Sequence, residues 1–353
     1  MAGGAKLAGL ALTALKSNFT TLDRPYKLNF TVTYNCQSRC LTCSIWEIRP
    51  KDELTIDEIR RFAGKNNYFK WIELTGGEPF LRSDIVEIAA AFKENCKDLY
   101  LVTMPTNSLC NTDLVEKRLR GILSLGIPRL VITVSLDGYR ELHDKIRGIP
   151  GNFDKAMATY RMIMQVKKEH PNIDAIFGYT MSKFNVGQFE QTYNAVKQIF
   201  PGVTYNDFHI NIAQTSETYY KNGNLDLSPV GPQASEEIRG VLMKRKKMYD
   251  PMHIVETAFM KRLVDFAKDG KSPMKVRSLE ASLFLDSWGN VYPSIMWNKK
   301  VGNIREADYD LSRIWHTPTA EEVRSAIKKG AGPNEWTSCE AYQTLTGRIT
   351  TLF

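Results

Sequence analysis

The sequence predicts an α/β protein built on a parallel sheet, and three observations carry that prediction. Runs rich in β-branched and aromatic residues recur at 26–33, 71–75, 99–104, 129–135, 175–181 and 204–212. Between successive runs lie stretches with apolar residues at helical spacing, each long enough for a crossover connection. Polar or glycine-bearing segments follow four of these runs, at 34–43, 76–79, 105–108 and 136–138. That is the strand end at which α/β proteins gather their chemistry.

A chain of 353 residues suits one large domain with an appendage, or two domains. With 43% hydrophobic and 24% charged residues it has the composition of a globular protein with a core. The formal charge of +8 is dispersed except for Lys244-Arg245-Lys246-Lys247, which reads as a solvated helix face and argues against a nucleic-acid surface. The six cysteines, three of them in one short loop, do not form a disulfide framework and point to a reducing, cytoplasmic setting. No run is apolar over a membrane-spanning length. The segment 7–15 reads as an apolar helix that either packs on the domain or rests peripherally on a membrane.

In chain order, the N-terminal helix occupies 1–24. The strand at 26–33 delivers the cysteine loop, and Thr55 with Glu58 forms a capping box ahead of Ile56, Ile59, Phe62 and Ala63. The strand at 71–75 runs straight into Gly76-Gly77-Glu78-Pro79. Ser83 is expected to cap the helix carrying Ile85, Ile88, Ala89 and Phe92. A helix over 112–125, another carrying Phe153, Ala156, Met157 and Tyr160, and one starting at Asn185 complete six strand–helix units ending near residue 231. Polar, Gly- and Pro-containing sequence over 216–232 marks a boundary. Beyond it, 232–353 is expected to form a smaller α+β extension: helices over 233–248 and 252–267, a hairpin turning at Gly289-Asn290, and a final helix opened by Thr317-Pro318.

Chemistry concentrates in three places. Cys36, Cys40 and Cys43 are spaced C-x3-C-x2-C, and thiolates are the ligands that iron–sulfur clusters and zinc select. Three of them can hold three irons of a cubane and leave the fourth open; zinc would need a further ligand, and the nearest histidine, His143, is far downstream. Gly76 and Gly77 allow close backbone approach to a ligand, and the Glu78 carboxylate can accept from an ammonium. The third place is the segment 135–148, which carries a hydroxyl at Ser135 and a guanidinium at Arg147.

The cysteine loop flanked by Tyr34-Asn35 and Trp46, then Gly76-Gly77-Glu78-Pro79, then Ser135-Leu136-Asp137-Gly138 with His143-Asp144-Lys145-Ile146-Arg147-Gly148, resemble in order the radical S-adenosylmethionine (SAM) superfamily, in its peptide and cofactor maturase branch. The resemblance implies an incomplete (β/α)6 barrel with one [4Fe–4S] cluster on Cys36, Cys40 and Cys43. SAM would be held by Gly76, Gly77, Glu78 and Pro79, assisted by Ser135 and Arg147. It further implies reductive cleavage of SAM, with ferredoxin or flavodoxin as reductant, and hydrogen abstraction by a 5′-deoxyadenosyl radical from a peptide, cofactor precursor or lipid. Ser108 stands where the family's third strand ends in glycine. The tail resembles the SPASM or twitch extension, with Ser282 and Ser294 near usual cysteine positions and Cys339 alone remaining, which implies a single cluster. Tyr179, Thr180, His209, Asn211 and Gln214 fall near strand ends, where a substrate pocket would lie. The rival from another class is a non-catalytic iron–sulfur or SAM-binding scaffold that docks a partner.

Overall fold

All six expected strands form, and each pairs with the next. In the computed structural model, which describes residues 2–352, α1 (Ala2–Lys16) precedes β1 (Lys27–Thr33), α2 (Ile56–Lys65), β2 (Trp71–Gly76), α3 (Ile85–Asn95), β3 (Leu101–Thr106), α4 (Thr112–Ser124) and β4 (Arg129–Ser135). A short α5 (Glu141–Arg147) and a long α6 (Asn152–Glu169) lead to β5 (Ile173–Met181), α7 (Phe189–Ile199) and β6 (Phe208–Ile212). β1 to β6 are parallel neighbours in chain order, and β6 forms an open edge, so the sheet is a partial barrel.

Strand alternation sorts the side chains. In β5, Ile173, Ala175, Phe177, Tyr179 and Met181 are buried under the helices, where Phe177 stacks on Tyr160 with ring centroids 4.2 Å apart. The intervening Ile176, Gly178 and Thr180 face the barrel interior, and a Cβ on Gly178 would come within 2.5 Å of the Thr133 methyl.

The C-terminal part extends the same sheet. After α8 (Pro232–Lys244) and α9 (Pro251–Asp269), β7 (Ser282–Leu285) joins β1 as a parallel strand, Lys27 opposite Ser282 and Phe30 opposite Leu285. β8 (Asn290–Tyr292) and β9 (Gly302–Asn303) continue it antiparallel. The hairpin turns at Gly289, whose φ of +85° suits glycine. α10 (Ser312–Trp315) and α11 (Pro318–Lys329) follow, and then α12 (Ser338–Thr346), which the sequence reading missed by ending its helices at α11.

Several local expectations differ from the structure: the helix expected from Asn185 begins at Phe189, and the one expected over 233–248 ends at Lys244. The helix after Ser83 is preceded by Asp84, whose carboxylate pairs with Arg82 at 2.7 Å and makes no cap bond. β3 runs through Pro105, which is tolerated because pairing with β2 ends at Thr103. β6 starts late because Thr204 and Asp207 close a capping box around a 3-10 turn at Tyr205–Asp207. The box at Thr55 and Glu58 forms as expected.

Candidate active site

The cysteine loop is clamped on three sides before any ligand is considered. From β2, Gly77 N–H donates to the Thr33 carbonyl at 2.8 Å and Glu78 N–H to that of Asn35 at 2.9 Å. A Cβ on Gly76 would lie 2.2 Å from the Thr33 oxygen, and one on Gly77 2.3 Å from the Asn35 oxygen. The two glycines are therefore required first by the loop's own backbone. From α5, the Arg147 carbonyl accepts from Arg39 N–H and from the Ser38 hydroxyl, both at 3.0 Å. Gly148, at φ +69°, lets the Arg39 backbone come this close, since a Cβ there would meet its oxygen at 2.3 Å. From the segment after β6, Tyr220 O accepts from Ser44 N–H at 2.9 Å and Asn222 donates to Thr42 O at 2.8 Å.

Cys36, Cys40 and Cys43 all line one cavity of about 260 Å³ at the C-terminal end of the strands. Burial pushes the Cys36 thiol up to about 12 and raises that of Cys43 as well. Thiols held this way lose their protons to a bound metal rather than to water. Among the described residues no three His, Cys, Asp or Glu side chains converge as ligands of a single ion. A cubane instead spreads its thiolates over separate irons. The donor set fits such a cluster: three soft ligands face one cavity, and Arg147 Nη1 is 3.8 Å from Cys40 Sγ to offset negative charge.

The other expected residues separate into two groups. Gly76, Gly77, Ser135 and Arg147 line the cavity. Glu78 and Pro79 are fully buried outside its lining. The Glu78 carboxylate accepts from Phe80 N–H (3.2 Å), the Thr106 hydroxyl (3.1 Å) and Asn107 N–H (2.7 Å), so it ties the end of β2 to the end of β3. These bonds give it a structural role beside the expected one as acceptor for an ammonium. Asn107, held by that bond, donates to Cys36 Sγ at 3.6 Å. Burial raises the Glu78 carboxyl to about 7 against these bonds, which lower it. Arg147 is also committed in part, with Nε 2.7 Å from Asp137 Oδ2. His143 behaves as a structural residue: its Nδ1 accepts from Asp137 N–H at 3.0 Å, and burial lowers it to about 3.

Thr180, His209, Asn211 and Gln214 line the cavity, whereas Tyr179 points outward and donates to Asn185 O at 2.9 Å. The sequence reading missed Glu73, Tyr219, Tyr220 and the start of α12. Cys339 lies in the cavity wall with its thiol 3.5 Å from Glu73 Oε1, and Lys27 Nζ, 3.5 Å from Glu73 Oε2, donates to the Cys339 carbonyl at 2.7 Å. Period-two alternation in β2 placed Glu73 on the face of Thr75; nothing local placed α12 there.

The serines in the extension meet carboxylates. Ser282 and Ser278 donate to Glu340 Oε2 at 2.7 and 2.9 Å, Asn29 donates to Oε1 at 3.1 Å, and Ser294 donates to Glu335 Oε1 at 3.0 Å. All six side chains are buried. Cys339 faces the opposite way, into the main cavity.

A parallel partial barrel that presents three thiols beside a glycine turn at its strand ends carries the donor set of an iron–sulfur cluster. The family model of the radical SAM superfamily matches residues 30–196, the stretch that carries the cysteine loop, the glycine turn and the strands from within β1 to β5. The cofactors of that superfamily are a [4Fe–4S] cluster and SAM. Among curated proteins, the AdoMet-dependent heme synthase of Methanosarcina barkeri is 29% identical over 53% of this chain and 51% of its own length. The chain thus spans about half of that relative. The Fe-coproporphyrin III synthase of the same organism is 24% identical over 87% of this chain and 77% of its own. In fold, the chain is similar to anSMEcpe with bound AdoMet and Cp18Cys peptide, at a TM-score of 0.58, 15% identity and coverage of 85% and 82%. Streptococcus suis SuiB bound to S-adenosylmethionine gives 0.57, 16%, 89% and 70%.

Proposed function

We propose that this chain is a single-cluster radical SAM enzyme that abstracts hydrogen from a peptide, a cofactor precursor or a lipid. The observation that carries the reading is the convergence of Cys36, Cys40, Cys43, Gly76, Gly77, Ser135 and Arg147 on one cavity at the strand ends. Bound there, the cluster and SAM would supply reductive cleavage of SAM and a primary carbon radical. The chain's own residues do the positioning. The backbone at Gly76 and Gly77 would hold the SAM amino end, Ser135 would offer a hydroxyl, and the remaining N–H groups of Arg147 would serve the SAM carboxylate. Glu78 and Pro79 act from behind, fixing the turn. Electrons would come from a ferredoxin or flavodoxin.

A single cluster is supported by Ser282 and Ser294, whose hydroxyls already serve Glu340 and Glu335. Two relatives named as a heme synthase and an Fe-coproporphyrin III synthase favour a cofactor precursor among the substrate classes. Anaerobic reconstitution with iron and sulfide, followed by dithionite and SAM, tests the reading. About four irons per chain with release of 5′-deoxyadenosine is the expected result. About eight irons would refute the single cluster. Four irons with neither SAM binding nor cleavage would favour the non-catalytic scaffold.

A further inference from the structure

The barrel holds a second cavity below the first. It measures about 240 Å³ and is bounded by the early residues of the strands, by α1 and by α9. Trp71, Leu101, Val131 and Ile176 line its strand side, and Leu7, Leu10 and Ala14 close it from α1. The wall dividing it from the catalytic cavity is polar, and its ionisable groups are paired. His209 lines both cavities; its Nδ1 is 3.1 Å from Glu256 Oε1 and its Nε2 is 2.9 Å from Asn211 Nδ2. Tyr342 donates to Glu256 and stacks on Trp71 with centroids 5.9 Å apart.

We propose that this floor cavity is a binding site for one long aliphatic chain of an anionic amphiphile. The polar side chains of its wall are already engaged with partners: Arg129 with Asp174, Arg245 with Glu256 at 3.3 Å, His253 with Asp250 at 2.6 Å, Trp71 with Thr103 at 3.2 Å. A peptide placed here would find few donors or acceptors not already engaged for its amide groups, each of which costs about 1–3 kcal/mol when left unpaired. An aliphatic chain carries no such groups. An apolar hole of about 150 Å³ takes benzene, so one of about 240 Å³ has room for roughly ten carbons at the end of such a chain, the rest lying along the exposed rim.

The surroundings supply the anionic preference and a route in. Asn206, on the cavity wall, exchanges hydrogen bonds of 2.8 and 3.0 Å with the backbone of Lys246. Lys246 and Lys247 are exposed beside Met248 and Tyr249, and Met252 on the wall is 42% exposed. Lysines next to apolar side chains suit a charged head above a buried chain. The outer face of α1 is apolar too: Leu12 is 64% exposed, and Phe19 just beyond the helix is 79% exposed. The site goes beyond the proposed reaction and does not require that the bound chain be the substrate.

The test uses the full-length protein titrated with cis-parinaric acid below its micelle concentration, in parallel with phosphatidylcholine vesicles containing phosphatidylglycerol. Saturable one-to-one binding of the monomeric acid, displaced by oleate, is expected. Ala11→Trp, at an exposed position on the cavity rim, should weaken binding at least tenfold while leaving the urea midpoint and SAM binding unchanged. Lys246→Glu with Lys247→Glu should weaken oleate more than oleyl alcohol. No saturable binding, equal affinity in Ala11→Trp, or binding to vesicles without binding of the monomer would each overturn the proposal. Because the readout needs neither cluster nor SAM cleavage, its failure is separable from failure of the proposed enzyme activity.

Discussion

Replacing Glu78 by glutamine tests whether a buried carboxyl, rather than a ligand contact, holds the glycine turn in place. The carboxyl is fully buried, and burial raises it from its ordinary 4.5 to about 7. Between these values the folded state keeps the proton and the unfolded state has lost it. Stability from this group is therefore fully present below about 4.5 and is lost as pH rises through 7. The interval corresponds to about 3 kcal/mol. In Glu78→Gln no proton is exchanged, but the amide turns a donor toward Asn107 N–H or toward Phe80 N–H and the Thr106 hydroxyl, costing about 1–3 kcal/mol. Urea unfolding of both apo-proteins at pH 5 and pH 8 gives the comparison. The wild type should be the more stable at pH 5, and its advantage should shrink by roughly 2–3 kcal/mol at pH 8. Parallel stability profiles for the two proteins would refute the reasoning, because they would mean that Glu78 does not titrate with folding in this range.

Two further outcomes follow from the same geometry. Ser108 is buried at φ +63° with a hydroxyl that has no partner, so Ser108→Gly should raise stability by about 1 kcal/mol, seen as a higher urea midpoint; a lower midpoint would contradict the strain. Glu340→Ala would strand the Ser278, Ser282 and Asn29 donors in the interior and should lower stability by about 2–4 kcal/mol; an unchanged midpoint would show that this hub contributes nothing.

The strands, the cysteine loop and the glycine turn were legible in the amino-acid order because their signals are local. A run such as 129–135 needs only its own β-branched residues to be read, and it forms as Arg129–Ser135. The three thiols on one cavity wall follow from their spacing behind β1. The sequence places both Tyr179 and Thr180 at the pocket; alternation in β5 puts only Thr180 there. Local pattern says nothing about partners far away in the chain. Beside its glycines Glu78 reads only as a ligand; that its oxygens accept from Asn107 and Thr106 depended on β3 coming alongside. Ser282 and Ser294 read as lost metal ligands; that Glu340, on α12, and Glu335, just ahead of it, would meet them depended on where the C-terminal segment packs. The pairing of β7 with β1, the entry of Cys339 into the catalytic cavity and the second cavity under α1 have the same origin. Each arises where surfaces from opposite ends of the chain meet, and the energy that selects such contacts comes from burial and hydrogen-bond satisfaction in the assembled core, which no short window of sequence contains.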